Sequence, residues 1–210
     1  MAEPFAQLSA VAIPLDESNV DTDQLVPGRF SKLPIGPGHE RVLFHDRRFL
    51  ADDRPNPDFI FNQPGYQGAK ILVARRNFGI GSSRESAVMS VWSFGLRALI
   101  APSFGDIFFN NCFKRGLLPI RLPESEVDQL FAYLSVRPGA VVTVDLPAQK
   151  VIAEGMVFGF DIGGVQKMCL VKGLDEVSVT DTHKEEIAAF EAAYDSEFPW
   201  LTHQLRETAR

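Results

Sequence analysis

The apolar positions of this chain fall into strand-like runs and helix-like spacings that alternate through its middle. Residues 5–15, Phe-Ala-Gln-Leu-Ser-Ala-Val-Ala-Ile-Pro-Leu, predict a strand closed by proline, and the polar run from Asp16 to Asp23 predicts a loop. From Val26 to Asp58 only short apolar islands such as Val42-Leu43-Phe44 interrupt a sequence crowded with Pro, Gly, Arg and Asp, and a loop of that length is functional or mobile. Ala69 to Ala74 is almost continuously apolar, as a strand buried on both faces must be, and Arg75 to Ser83 follows as a glycine-bearing turn. Glu85 to Phe94 then spaces Ala87, Val88, Val91, Trp92 and Phe94 close to helical periodicity, with Gly95 as a stop.

The alternation continues with a strand over Ala98–Ala101, a helix over Phe104–Lys114, a strand over Leu117–Ile120 and a helix over Glu124–Leu134. Such a pattern predicts an α/β protein whose mixed sheet is joined by helical crossovers. Ala140–Leu146 and Lys150–Ala153 read as a hairpin. Thr182-His-Lys-Glu185 has the form of a capping box, and Ile187, Phe190 and Tyr194 supply one apolar stripe for a last helix. With no internal repeat, low-complexity tract or linker-like stretch, residues 1–210 read as one domain.

Composition narrows the function. At 45% hydrophobic and 23% charged, 210 residues suffice for a substantial core, and a formal net charge of −6 without a basic stripe argues against nucleic acid as a partner. The first residues lack a basic n-region followed by a long apolar stretch, and no apolar run is long enough for a bilayer, so neither secretion nor a membrane is expected. Cys112 and Cys169 are too few to ligate an iron–sulfur cluster or close a zinc site, and two distant thiols suit a reducing, cytoplasmic setting. The four histidines, at 39, 45, 183 and 203, show no i,i+4 pairing, so no metal is expected on this chain alone.

Chemistry concentrates in Asn77-Phe-Gly-Ile-Gly-Ser-Ser-Arg-Glu85, between a predicted strand and a predicted helix. Gly79 and Gly81 allow a tight turn and close backbone approach to a ligand. The following helix presents unpaired N–H groups, Ser82 and Ser83 add hydroxyls, and Arg84 adds a planar donor fork suited to a carboxylate. The stretch lacks the third glycine of a dinucleotide fingerprint, the Gly-Lys-Ser/Thr of a P-loop and the Gly-x-Ser-x-Gly of a nucleophile elbow. A plainer reading makes Ser82 a helix cap and Arg84 a solvated first-turn side chain, although an arginine there opposes the helix dipole. A serine can act as a base only if neighbouring donors stabilise its alkoxide.

Three motifs in order carry a resemblance: Asn19-Val-Asp-Thr-Asp-Gln-Leu-Val-Pro27, Asn77 to Ala87, and Ile100-Ala-Pro-Ser-Phe-Gly-Asp-Ile-Phe-Phe-Asn-Asn-Cys-Phe-Lys114. With matching order and spacing from about Leu8 to Leu201, the chain resembles the small subunits of 3-isopropylmalate dehydratase. The resemblance implies the swivelling β/β/α domain of the aconitase superfamily and hydro-lyase chemistry on a hydroxy-dicarboxylate. It also implies a heterodimer with a large iron–sulfur subunit, whose [4Fe-4S] cluster would polarise the departing hydroxyl. Carried over by position, Ser82 is the catalytic base, and Ser83 and Arg84 bind a substrate carboxylate. Thr22 and Asp23 read as supports of the site or as residues of a structural turn. Arg29 reads as a contact to the far end of the substrate or as a solvated loop arginine.

Members of this family usually carry His after the motif's Glu, where this chain has Ser86; Val88-Met89-Ser90 replace the usual Pro-Trp-Ala, and Ile80 stands where many have Cys. A related dehydratase acting on citramalate or 2,3-dimethylmalate is therefore an alternative, as is a non-catalytic anion-binding module that kept the fold. Phe104, Ile107, Phe108 and Phe113 are expected in the core, Cys112 as a buried small hydrophobe among them, and Glu185, Glu186 and Glu191 on a solvated helix face.

Overall fold

In chain order the elements are β1 (Gln7–Leu15), α1 (Thr22–Leu25), α2 (His45–Arg48), β2 (Ile71–Ala74), α3 (Glu85–Phe94), β3 (Ala98–Ala101), α4 (Asp106–Lys114), β4 (Leu118–Arg121), α5 (Glu124–Ser135), β5 (Val141–Asp145), β6 (Lys150–Ala153), β7 (Met156–Gly159), α6 (Gly164–Lys172), α7 (Glu176–Asp181) and α8 (Lys184–Glu197). They come from a computed structural model that describes residues 3–30, 32–34, 38–82 and 84–201. The strands form a seven-stranded sheet in the order β4-β3-β2-β1-β5-β6-β7. β1 to β4 are parallel neighbours, whereas β5, β6 and β7 add to β1 as an antiparallel meander. The mixed sheet with helical crossovers read from the sequence is the fold observed.

β1 serves both halves of the sheet, pairing with β5 over Gln7–Val11 and with β2 over Ala12–Leu15. This division explains why Pro14 sits inside the strand rather than closing it. The N–H of Ala12 points toward the β5 side, to the carbonyl of Ala140 at 3.2 Å, and position 14 faces the same way two residues on, beyond the end of β5. A proline there gives up no ladder bond.

Both faces of the parallel half are buried, so successive residues alternate between two cores. Ile13, Leu72 and Leu99 face one core with α3, α4 and the segment carrying Val42, Leu43 and Phe44. Ala12, Ile71, Val73, Ala98 and Ile100 face the other, with Val127, Leu130 and Leu134 of α5. The island Val42-Leu43-Phe44 is therefore an anchor, with Phe44 fully buried and ringed by Phe59 and Phe61 at 5.6 and 5.0 Å. Phe104 and Phe108 are buried as expected and Phe113 packs against the second core, but Ile107 is 52% exposed, because the burying face of α4 runs through Phe108 and Cys112.

The last third departs further from the sequence reading. Thr182 and Glu185 form no capping box: Thr182 ends α7, its hydroxyl donating to the Val179 carbonyl at 2.6 Å, and α8 starts at His183 without a side-chain cap. The stripe of α8 exists but buries nothing. No helix among the described residues is long and apolar enough to cross a membrane.

Candidate functional site

Because β3, β2 and β1 are parallel and adjacent, the three loops at their C-terminal ends emerge side by side, where open α/β sheets hold their ligands. These loops are the three motifs singled out in the sequence. The middle one, after β2, is stitched to both neighbours by backbone hydrogen bonds. On one side the Gly79 N–H donates to the Val20 carbonyl at 2.7 Å and the Thr22 N–H to the Ile80 carbonyl at 2.9 Å. On the other, the Phe78 N–H donates to Ser103 at 3.1 Å and the Gly105 N–H returns to Phe78 at 2.9 Å.

Side chains complete the ties. Asn19 and Asn77 both take left-handed backbone conformations, φ 60° and 62°, which asparagine tolerates better than most residues. The amide of Asn77 reaches the Asn19 side-chain oxygen at 2.7 Å, while its backbone N–H donates to the Ser103 hydroxyl at 2.8 Å. Gly79, at φ +72°, has no room for a side chain, since a Cβ would lie 2.4 Å from the Phe108 ring. A Cβ on Gly105 would lie 2.4 Å from the Gly79 carbonyl oxygen. The freedom of Gly79 is thus spent on packing the loop against α4, whereas Gly81, at φ +100°, is exposed beside Thr22.

Ser82 stands at the exposed end of this framework. It does not cap α3: the N-cap is Arg84, whose side chain makes no capping hydrogen bond. The Ser82 carbonyl accepts from the buried Thr22 hydroxyl at 3.2 Å, which joins the serine to α1. α1 is held in turn by a reciprocal box, the Gln24 N–H donating to Asp21 at 2.7 Å and the Asp21 N–H to the Gln24 side chain at 2.9 Å. Arg84 is not a solvated arginine. Its side chain is 24% exposed, and its guanidinium donates to the Asp23 carboxylate and to the Val26 carbonyl at 3.3 Å.

The structure therefore gathers Thr22, Asp23, Gly79, Gly81, Ser82 and Arg84, while Ser83 lies outside the described residues. Arg29 leaves α1 close by, since a Cβ on Gly28 would be 3.8 Å from the Asp23 carboxylate, but its guanidinium is engaged by Asp46 and, at 3.3 Å, by His45. The hydrogen bond from Arg29, with help from His45, holds the Asp46 carboxyl below the usual carboxylate range, and the same bond raises Arg29. Two residues on, Arg48 donates to the Glu40 carbonyl at 2.7 Å and to Leu43 at 3.2 Å, and burial pushes its pKa down to about 10.

Among the described residues, no group of three His, Cys, Asp or Glu side chains converges as a ligand set. Cys112 is fully buried, which pushes its thiol well up, and Cys169 lies on α6 at a cleft of about 510 Å³ with Phe113, Val165 and Leu174. The donors of this chain do not fit an iron–sulfur cluster. That cleft takes in none of the loop residues around Ser82, and Gly81 and Ser82 themselves are exposed.

The chain matches the Aconitase C-terminal domain family over residues 2–125, which contain all three loops, and the LeuD_N family over residues 128–164. The 3-isopropylmalate dehydratase small subunit of Hahella chejuensis is 46% identical over 94% of this chain and 96% of its own length. The chain belongs to the 3-isopropylmalate dehydratase small-subunit family. A second small subunit, from Methylibium petroleiphilum, is also 46% identical, over 97% of this chain and 99% of its own. A crystal structure of 3-isopropylmalate dehydratase from Methanocaldococcus jannaschii shares the fold, with a TM-score of 0.62 at 23% identity, over 87% of this chain and 98% of that one.

Within the small-subunit motifs, sequence reasoning gave no site role to Asn19, Asp21, Asn77, Ser103 and Gly105. Two signals were present. Asp21-x-x-Gln24 has capping-box spacing, and Ser103-Phe-Gly105 places a glycine just before a helix start.

Proposed function

We propose that this chain is the small subunit of a cytoplasmic 3-isopropylmalate dehydratase, converting 2-isopropylmalate to 3-isopropylmalate by dehydration and rehydration in leucine biosynthesis. The observation that carries this reading is the exposed Ser82 at the tip of a cross-tied loop, one residue from an arginine that already holds a carboxylate. In this role Ser82 removes the proton from the carbon beside the substrate carboxylate. Arg84 and Ser83 bind that carboxylate, with Asp23 holding the guanidinium in position. The N-terminal N–H groups of α3 and the guanidinium lower the cost of the serine alkoxide.

The iron–sulfur cluster would belong, in this reading, to the large subunit, where it would supply Lewis-acid activation of the departing hydroxyl. The exposure of Ser82 supports this division, because such a base works well only where water is excluded, which a covering partner provides. Thr22 keeps the serine loop in register, and Arg29 meets the far end of the substrate once it leaves Asp46.

A second reading rests on Ser86, in the first turn of α3, where relatives usually carry His. Loss of a titratable group beside the site suits a paralogous dehydratase acting on citramalate or 2,3-dimethylmalate. The deciding experiment mixes the purified chain with its large subunit under anaerobic conditions and assays the three substituted malates. Turnover of 2-isopropylmalate only by the mixture supports the first reading, and preference for a smaller malate supports the second. Full turnover by this chain alone, or none by the mixture with any of the three, overturns both.

A further inference from the structure

Among the described residues, α8 is the one long helix that contributes no buried residue to its own chain. Helices of 14 residues are marginal in water and normally persist by packing an apolar face. α8 has such a face. Ile187, Phe190 and Tyr194 share one side, Phe190 is 67% exposed, and the rings of Phe190, Tyr194, Phe198 and Trp200 follow one another at 5.9, 4.9 and 5.7 Å. This segment also belongs to the small-subunit family, since the alignment with the Methylibium relative takes in 97% of the chain, too much for a 14-residue helix to fall outside it.

Charge identifies the occupant. At 100° per residue, Glu191 and Asp195 border one margin of the stripe, and Glu186 and Glu197 border the other. The helix holds five carboxylates against the single ammonium of Lys184. A second copy is disfavoured, because pairing two such helices sets carboxylates against carboxylates, and the whole chain is acidic as well. Helices that lie on membranes carry lysine and arginine beside their apolar face, the reverse of this pattern. The complementary surface is an apolar groove with basic side chains on both rims.

We infer that α8 is a docking arm that inserts its aromatic face into a basic-rimmed groove on the large subunit of the enzyme. The inference rests on the proposed function for the existence of that subunit, and on the stripe and its margins for the mode of contact. It adds a second attachment, carried by residues other than those of the Ser82 loop. The arm therefore tethers the small subunit while the catalytic faces open and close.

The test titrates the full-length chain into its purified large subunit at about 50 and 300 mM salt, using wild type, a Phe190→Ala/Tyr194→Ala variant and a Glu191→Lys/Asp195→Lys variant. The aromatic variant is expected to bind at least tenfold more weakly at both salts. The charge variant is expected to weaken mainly at low salt and to lose the wild-type salt dependence. Both should melt as wild type does, since α8 buries nothing, and both should reach wild-type kcat at saturating large subunit. Wild-type affinity in both variants, no binding by the wild-type chain, or a wild-type dimer that the aromatic variant dissolves would overturn the docking arm. If wild type restores turnover and the variants bind equally, docking alone fails. If the aromatic variant loses binding while wild type supports no turnover, the assigned reaction fails and the arm stands.

Discussion

Arg84 is held by Asp23. The guanidinium of the serine loop is already paired with a carboxylate from α1, and the Val26 carbonyl fixes its remaining orientation at 3.3 Å. The arginine is thus positioned before any substrate arrives. A charge-assisted bond of this kind is worth roughly 1.5–3 kcal/mol, or about ten- to hundredfold in affinity. In the reconstituted enzyme Arg84→Lys, which keeps the charge but loses the fork, should raise KM by about that factor. Asp23→Asn should have a smaller effect in the same direction. Steady-state kinetics on both variants checks the order, and an Asp23→Asn enzyme with lower KM would show that Asp23 competes with substrate rather than orienting the arginine.

Ser82→Ala removes the proposed base and leaves the backbone ties of its loop untouched. With the large subunit present, kcat should fall by about 10²- to 10⁴-fold while KM stays within a few-fold, the pattern for a group acting in the transition state. A fall in affinity with kcat preserved would assign Ser82 to substrate binding instead.

Gly79 and Gly105 are tests of the framework. Alanine at Gly79 meets the buried Phe108 ring and a positive φ, with an expected cost of about 2–4 kcal/mol. Alanine at Gly105 meets the backbone of Gly79, which cannot rotate away as a ring can, so its penalty should be at least as large. Urea unfolding of the two variants measures both values, and a neutral Gly105→Ala would mean that the loops after β2 and β3 are not locked together.

The Arg29–Asp46 pair makes a pH-dependent prediction. Its folded carboxyl lies below the ordinary value, so its contribution is complete above the ordinary carboxylate range and is lost as pH falls through the lowered one. Carbon-detected NMR should find Asp46 titrating below an unpaired aspartate in wild type and returning toward the ordinary value in Arg29→Met. An unchanged midpoint would leave Arg29 without hold on Asp46.

The thiols should separate cleanly. Cys112 is fully buried with its pKa pushed up, so a thiol reagent at pH 8 should modify Cys169 in the native chain and Cys112 only after unfolding. Mass spectrometry of the labelled peptides reads the result, and rapid native labelling of Cys112 would show that the α4 packing opens.

What the sequence disclosed follows from where the signal is local. The four-residue β2 and β3 were legible because both faces are buried and every position is apolar, and α3 because Gly95 ends it in the left-handed conformation it favours. α6 escaped because it buries only Leu170, so its apolar residues show no stripe, and β7 escaped because its four residues follow a tight turn at Glu154 and Gly155. Thr182 and Asp21 both offered capping-box spacing, and only Asp21 forms one, since Thr182 is already committed to ending α7. The serine loop was readable as a donor-rich turn. Its ties to Asn19 and Ser103 were not, because they depend on strand order bringing residues 58 and 26 positions away into contact.

The segment after α1 and the serine loop are held by different kinds of contact. One is pinned through Val42, Leu43 and Phe44 in the core, the other through cross-ties among the ends of β1, β2 and β3. On the proposed reading, with Arg29 at the far end of the substrate, exchanging the stretch that begins at Gly28 between related dehydratases is expected to change substrate preference and to leave Ser82 as the base.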